Sequence, residues 1–295
     1  MVSIIVSSYQ PENFTALEKN IAETVGVPYE IIKIENPGLM GIAEAYNKGA
    51  KKARFEHLLF LHEDVLFHTQ NWGEKLIKHL EDPVTGVVGV AGSDYVPIAP
   101  SGWYVHSMKN QFLHLIQNDK EGNKPSYQNF TTKPKHEVYA LDGVFLAMQK
   151  SKFNNFRFDE KIGGFHAYDI DLSLHFAKKY KNYVIGDILI EHFSKGSPDK
   201  DFTEGNILVR KKWGSSFQTG FSRKIELDCF EAFLNSYFRY FGISLVNVFK
   251  TIRFIPWGRI MRSDYIRLAK SYYRYLKYRK YYEKKFSESI KSAYA

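Results

Sequence analysis

Cysteine is almost missing from this 295-residue sequence, where Cys229 stands alone. One thiol excludes an intrachain disulfide framework, and without a C-x-x-C pair there is no cysteine site for zinc, so a reducing, cytosolic setting is expected. No apolar run approaches the roughly 18 residues that a membrane-spanning helix needs. The start, MVSIIVSSYQ, has no basic leader before its short apolar stretch and reads as a strand, not a secretory signal. Neither G-x-G-x-x-G nor G-x-x-x-x-G-K-[ST] occurs, which excludes the glycine-loop cradles for phosphate. Internal repeats and low-complexity blocks are missing too.

What is present suits a globular chain with a sizeable core: 44% of residues are hydrophobic and 25% charged. The net charge of +9 is unevenly placed. Residues 251–295 hold 12 Lys/Arg and three acids, so the first 250 balance at 29 of each sign. A functional boundary lies near the start of that basic tail.

The stretch LLFLHEDVLF, residues 58–67, poses the sharpest question. Burying one unpaired charge costs several kcal/mol, yet His62, Glu63 and Asp64 interrupt an apolar run. Its neighbours supply an answer. VSIIVSS (2–8) is β-branched and ends in small polar residues, after which Asn13 can cap a helix bearing Leu17, Ile21 and Val25. EIIKIEN, a turn at Pro37 and Gly38, the small-residue helix GIAEAYNKGAKKA and the strand HLLFLHEDV follow. This β-α-β-α-β order predicts a mostly parallel sheet covered by helices, with ligands beyond the carboxyl ends of its strands. Three polar clusters fall there: Ser7, Ser8 and Tyr9; Glu35 and Asn36; His62, Glu63 and Asp64.

Further on, GVVGVAGS (86–93) has a strand pattern, and the aromatic, polar segment 97–136, with Trp103, reads as loops with one short helix. EVYALDGVFLAMQK returns to strand. A loop with Gly163 and Gly164 then leads into a helix with Ile170, Leu174 and Ala177 in one row and Asp169 and Asp171 at its start, where the dipole favours carboxylates. YVIGDILIEHFSKGS reads as a strand running into His192 and a glycine- and serine-bearing loop.

In order, SIIVSSYQ, IIKIEN, GIAEAYNKGAKKA, LLFLHEDV, LDGVFLAMQKSKF, FDEKIGGFHAYDIDLSLHFA and IEHFSKGS resemble the GT-A glycosyltransferases of family 2. The likeness covers roughly residues 1–215 and is greatest to the capsule and surface-polysaccharide branch, in which the usual Asp-x-Asp is altered. It implies an α/β chain: a Rossmann-like, mostly parallel sheet flanked by helices over 1–220, and a helical, basic and aromatic extension over 221–295. It implies metal-dependent, inverting transfer of a sugar from a UDP- or GDP-type nucleoside-diphosphate sugar to a hydroxyl of a saccharide or lipid-linked acceptor, with Mn or Mg as cofactor. By the same resemblance Asp64 takes the metal-binding position of Asp-x-Asp, His62 replaces its first aspartate, and His192 completes the metal site. Ser7, Tyr9, Glu35 and Asn47 fall on the nucleotide side, Glu35 facing the base. In YDID, Asp169 takes the place of the general base, with Tyr168 where a glutamate is usual; Asp171 is the alternative. Asp142, Gly143, Gly164 and His166 fall on the acceptor side.

Two other classes compete. A nucleotidyltransferase typically carries a glycine- and lysine-rich signature after its first strand, and SSYQPENF has none. A nucleic-acid-binding protein would use aromatics among cations, as in SYYRYLKYRKYY, but the first 250 residues carry no positive surplus, so no nucleic acid is expected. In the tail a helix is predicted from Ser263, with Tyr265, Leu268, Tyr272, Tyr275, Tyr282 and Phe286 in one stripe that Arg279 interrupts. The stripe fits packing on the catalytic domain, a second copy in a homo-oligomer, or an anionic membrane. Its charge, with FGISLVNVF and FIPWGRI upstream, leads us to expect peripheral attachment to the inner face of the cell membrane through about residues 237–290.

Overall fold

The computed structural model describes residues 1–118, 126–129, 134–193, 198–215, 217 and 220–293, with 126–129 and 292–293 in backbone only. The chain divides into two compact units: Met1–Val96 with Gly102–Gly196, and Pro97–Ser101 with Ser197–Ala295.

The first unit begins with β1 (Val2–Ser8), α1 (Pro11–Thr24), β2 (Tyr29–Glu35), α2 (Ile42–Lys52) and β3 (His57–Leu61), the alternation read from sequence. Helix α1 starts two residues before the expected Asn13 cap, at Pro11, whose fixed φ and missing N–H suit the first helical position. There follow β4 (Val65–Phe67), α3 (Trp72–Leu80), β5 (Thr85–Gly89), β6 (Ala91–Ser93), β7 (Gln111–Gln117), β8 (Ser126–Asn129), β9 (Lys135–Val138), β10 (Ala140–Leu141), β11 (Phe145–Gln149), α4 (Lys150–Phe153), α5 (Tyr168–Phe176), β12 (Lys181–Ile185) and β13 (Ile190–His192).

Among the described residues, a seven-stranded sheet runs β2-β1-β3-β11-β5-β12-β9. Strands β1, β2 and β3 are parallel, β11 is antiparallel to β3 and β5, and β9 is antiparallel to β12. Side chains alternate between two cores, as the strand period of two requires. Val2, Ile4, Val6, Leu59 and Leu61 join one core with α1 and α3; Ile5, Leu58 and Phe60 join the other with α2 and α5. Covering both faces is why these strands read as continuous apolar runs. A Cβ on Gly49 of α2 would lie 2.3 Å from Ile5 Cγ2, so only glycine lets that helix approach β1 so closely.

A second sheet, β10-β6-β7-β13-β4 with β8 on β7, corrects three expectations. GVVGVAGS is two strands in different sheets, not one. The strand expected to run into His192 is likewise two, β12 and β13. Among its described residues, the segment 97–136 holds one 3₁₀ turn, Met108–Asn110, but also β7, β8 and the start of β9; its residues 119–125 and 130–133, like 194–197 of the loop read after His192, lie outside the described residues. Pairing of β13 with β4 sets His192 opposite Val65, and Phe193 N donates to Asp64 O at 3.0 Å. This ladder brings His192 to the HED segment.

The second unit is helical: α6 (Lys200–Trp213), α7 (Arg223–Phe241), α8 (Leu245–Ile252), α9 (Arg262–Lys277) and α10 (Arg279–Ala293). Ile98 N donates to the buried Glu226 carboxylate of α7 at 3.0 Å, pinning residues 97–101 to this unit. The predicted tail stripe is real, but it faces inward. Leu268, Tyr272 and Phe286 are buried and Tyr265, Tyr275 and Tyr282 half-buried in one cluster with Phe230, Leu234 and Phe238 of α7. The stripe thus packs within its own helical unit, where the catalytic domain, a second copy or a membrane was expected. Arg223 holds Asp264 through two contacts of 2.6 Å, which lowers that carboxyl to about 2.

Candidate active site

A cavity of about 530 Å³ opens where β1, β2 and β3 end. Ser7, Tyr9 and Gln10 line it from the first strand end, Asn36 and Gly38 from the second, His62, Glu63 and Asp64 from the third, and Phe165 and His166 from the loop before α5.

The charges inside LLFLHEDVLF are accounted for one at a time. Glu63, 5% exposed, accepts from Ser8 Oγ at 2.6 Å, Tyr9 N at 3.2 Å and Gln10 N at 3.1 Å. Its carboxylate thus latches the turn after β1, and these charge-assisted bonds offset its desolvation. His62 Nε2 lies 3.0 Å from Tyr168 Oη and its Nδ1 4.0 Å from Asp64 Oδ1; His192 Nε2 lies 3.6 Å from the same oxygen. Burial, reinforced by His192, holds the His62 imidazole below its ordinary pKa against the pull of Asp64 and Asp142. That favours the neutral ring, the form that ligates metal.

One ligand atom from each of His62, Asp64 and His192 lies within 4.8 Å of the others. Ligands bound to one ion at about 2.1 Å sit roughly 3–3.5 Å apart, so side-chain shifts of about 1 Å close the cluster. Two imidazoles and one carboxylate fit a divalent cation that keeps coordination positions for other oxygens.

Asp169, next to the Tyr168 that meets His62, is half-buried at the start of α5 and is not among the residues that line the cavity. Gly143 N donates to its Oδ2 at 2.9 Å and Ile170 N to its Oδ1 at 2.8 Å. Burial and then the charge of Asp142 push its pKa from 3.8 up to about 7, against those two amides. Asp142 accepts from Trp103 Nε1 and from Val144 N at 2.8 Å. Gly143 has no room for a side chain, since a Cβ would lie 2.1 Å from Tyr168 Oη. Asp171 is only 1% exposed, within the core face of α5. Gly164, at φ +75°, gives its carbonyl to Ile42 N at 3.0 Å, joining the glycine loop to the start of α2.

Two expected nucleotide-side residues stand elsewhere. Glu35 pairs with Lys33 at 2.7 Å and does not line the cavity; its neighbour Asn36 does, donating to Ser7 Oγ at 3.2 Å and Met40 O at 3.0 Å. Asn47 is buried in α2 and donates to Phe158 O at 3.0 Å and Glu160 Oε1 at 2.8 Å, a tie between elements. Sequence reasoning missed Gln10, Phe165 and the work of Glu63. For Glu63 the signal was present, as a second carboxylate beside Asp64 that needed its own partners.

A mostly parallel sheet covered on both faces, with its polar strand ends around one cavity, is the architecture of a GT-A glycosyltransferase among other open α/β folds, and the comparisons with known proteins single that fold out. Solved structures share it. S. aureus TarS 1-349 is 15% identical at a TM-score of 0.55, over 99% of this chain and 90% of that one. TarS 1-349 in complex with UDP-GlcNAc is 14% identical at 0.53, over 99% and 91%. GalNAc-T7 with UDP, GalNAc and Mn²⁺ is 11% identical at 0.51, over 74% of this chain and 48% of that one, so the chain spans about half the length of GalNAc-T7. At such identities the likeness is one of fold. No match was found among curated proteins. The chain belongs to the Glycosyltransferase like family, whose profile matches residues 3–201, and its enzyme class is that of a glycosyltransferase.

Proposed function

We propose that the protein is a metal-dependent, inverting glycosyltransferase that moves a sugar from a nucleoside-diphosphate donor to a hydroxyl of a saccharide or lipid-linked acceptor in surface-polysaccharide synthesis. The observation that carries this reading is the cluster of His62 and Asp64, just past β3, with His192 of β13; His62 and Asp64 line the cavity at which β1 and β2 also end.

In this reading those three side chains hold the cation, with Mn favoured over Mg by the two imidazoles. When bound, such an ion neutralises charge on the leaving diphosphate. Ser7, Tyr9 and Asn36 border the space for the nucleotide, and UDP in the TarS and GalNAc-T7 structures favours uridine over guanosine. Asp169, with a pKa of about 7, is poised to take the proton from the acceptor hydroxyl as its oxygen attacks C1 and the bond from C1 to the diphosphate breaks. One base and one in-line displacement invert the anomeric centre, whereas retention by double displacement needs a second carboxylate as nucleophile. Burial of Asp171 makes it the weaker candidate base. Asp142, Gly143, Gly164 and His166 frame the acceptor side.

The test is hydrolysis and transfer across UDP- and GDP-sugars with Mn, Mg or chelator, beside calorimetry of UDP binding. A uridine donor should turn over with Mn and not with chelator, and Asp64→Asn should keep the fold but lose metal-dependent UDP binding. If Asp64→Asn binds Mn with UDP as tightly as wild type, the reading fails.

A further inference from the structure

The second unit exposes apolar side chains that its own packing does not use. In α8, successive residues turn by about 100°, which puts Leu245, Val246 and Phe249 on one arc. They are 63%, 63% and 72% exposed, while Val248 and Thr251 on the opposite face are buried. The surface continues past the helix. Trp257 is 56% exposed, its Nε1 donates to Ile252 O at the end of α8 (3.2 Å), and its ring stacks on Tyr265 of α9 at 5.3 Å. Met261 and Ile266, 60% and 59% exposed, lie where α9 begins. Soluble surfaces scatter single apolar residues, but grouped ones mark a docking face.

Its charge says what docks. Residues 241–263 include Lys250, Arg253, Arg259 and Arg262 and no Asp or Glu. All four cations are exposed; the guanidinium of Arg259 lies 3.7 Å from the Phe221 ring centroid. The next acid, Asp264, is already held by Arg223. A two-fold dimer through this face would set four cations against four more, which opposes self-association. An anionic lipid surface matches both properties, because apolar side chains enter the boundary between headgroups and acyl chains while Lys and Arg meet lipid charge. Trp and Tyr favour that same layer.

We infer that α8 and the loop leading to α9 form a monotopic docking face for an anionic membrane, with Leu245, Val246, Phe249 and Trp257 as the inserting residues. The tail stripe of Leu268, Tyr272 and Phe286 takes no part, being buried.

The test is co-sedimentation of the full chain with phosphatidylcholine vesicles, with and without phosphatidylglycerol, at low and high salt. Binding should require the anionic lipid and weaken with salt. Leu245→Ser with Phe249→Ser should lower partitioning about 100-fold, at about tenfold for each large side chain lost from an apolar layer. Arg253→Glu with Arg262→Glu should remove at least about fivefold per cation. All four positions are exposed, so circular dichroism and melting temperature should match wild type. Emission assigned to Trp257, from the difference between wild type and Trp257→Phe, should shift to the blue on anionic vesicles. The inference is overturned if wild type ignores anionic vesicles or if both pairs of variants bind like wild type. It is also overturned if light scattering shows a wild-type dimer that Leu245→Ser with Phe249→Ser converts to monomer, since the face is then a subunit interface.

Discussion

Asp169→Asn should slow the enzyme and stabilise it, and the second effect should depend on pH. The folded carboxyl sits at about 7 against 3.8 unperturbed, with burial as the main cause and Asp142 next. A folded-state pKa above the unfolded one means that folding takes up a proton between those values. Stability is therefore lost as pH rises from 3.8 towards 7 and is flat above. At about 1.4 kcal/mol per unit, ionised Asp169 costs about 4 kcal/mol near pH 8 and about 1–2 kcal/mol near pH 5. An amide carries no such cost, but it can accept from only one of Gly143 N and Ile170 N, a loss of about 1–2 kcal/mol at either pH. The fixed loss cancels when the two conditions are compared. Denaturant unfolding should thus show the variant gaining about 2–3 kcal/mol on wild type between pH 5 and pH 8. Donor binding should persist while turnover falls about 10²- to 10⁴-fold, and wild-type turnover should rise with pH through about 7. A stability difference equal at both pH values, or near wild-type turnover with Asp171→Asn inactive, would refute the reasoning.

Glu63→Gln keeps the shape of the latch but points an amide N–H₂ at groups that are themselves donors. It should cost about 1–3 kcal/mol in unfolding and raise KM for the donor with kcat little changed; an unmoved KM in steady-state kinetics would count against the latch. Gly143→Ala forces Tyr168 away from His62 and should destabilise by about 1–3 kcal/mol. Thermal melts of the same change in a Tyr168→Phe background should show a smaller loss, because the hydroxyl nearest the new methyl is gone.

How much of this was legible depended on whether a residue's partner is near in sequence or only in space. Strands β1 and β3 were legible because β-branched and aromatic residues fill both faces of a covered sheet. Strand β7, QFLHLIQ, was not. It carries His114 in its middle, and besides its chain neighbours β6 and β8 it pairs with β13, which lies far along the sequence. Asp64 and Asp169 stand at a strand end and a helix start, places that local pattern does mark. Glu35 and Asn36 are adjacent, and which of them meets the cavity is set where β2 ends, a boundary that pattern locates only to within a residue or two. The tail shows the same limit, since an amphipathic stripe announces that something covers it without saying what.

The Glu63 latch has a consequence for how ligands speak to one another. Glu63 is covalently between His62 and Asp64, while its carboxylate holds the turn at Ser8, Tyr9 and Gln10. His62, Asp64 and the turn that borders the cavity are therefore one mechanical piece. Under the proposed function, a nucleotide that quiets the turn would also quiet residues 62–64, and by reciprocity an ion on His62 and Asp64 would prepare the turn for its nucleotide. The expected outcome is that the two bind as cooperating ligands, each raising the affinity of the cavity for the other.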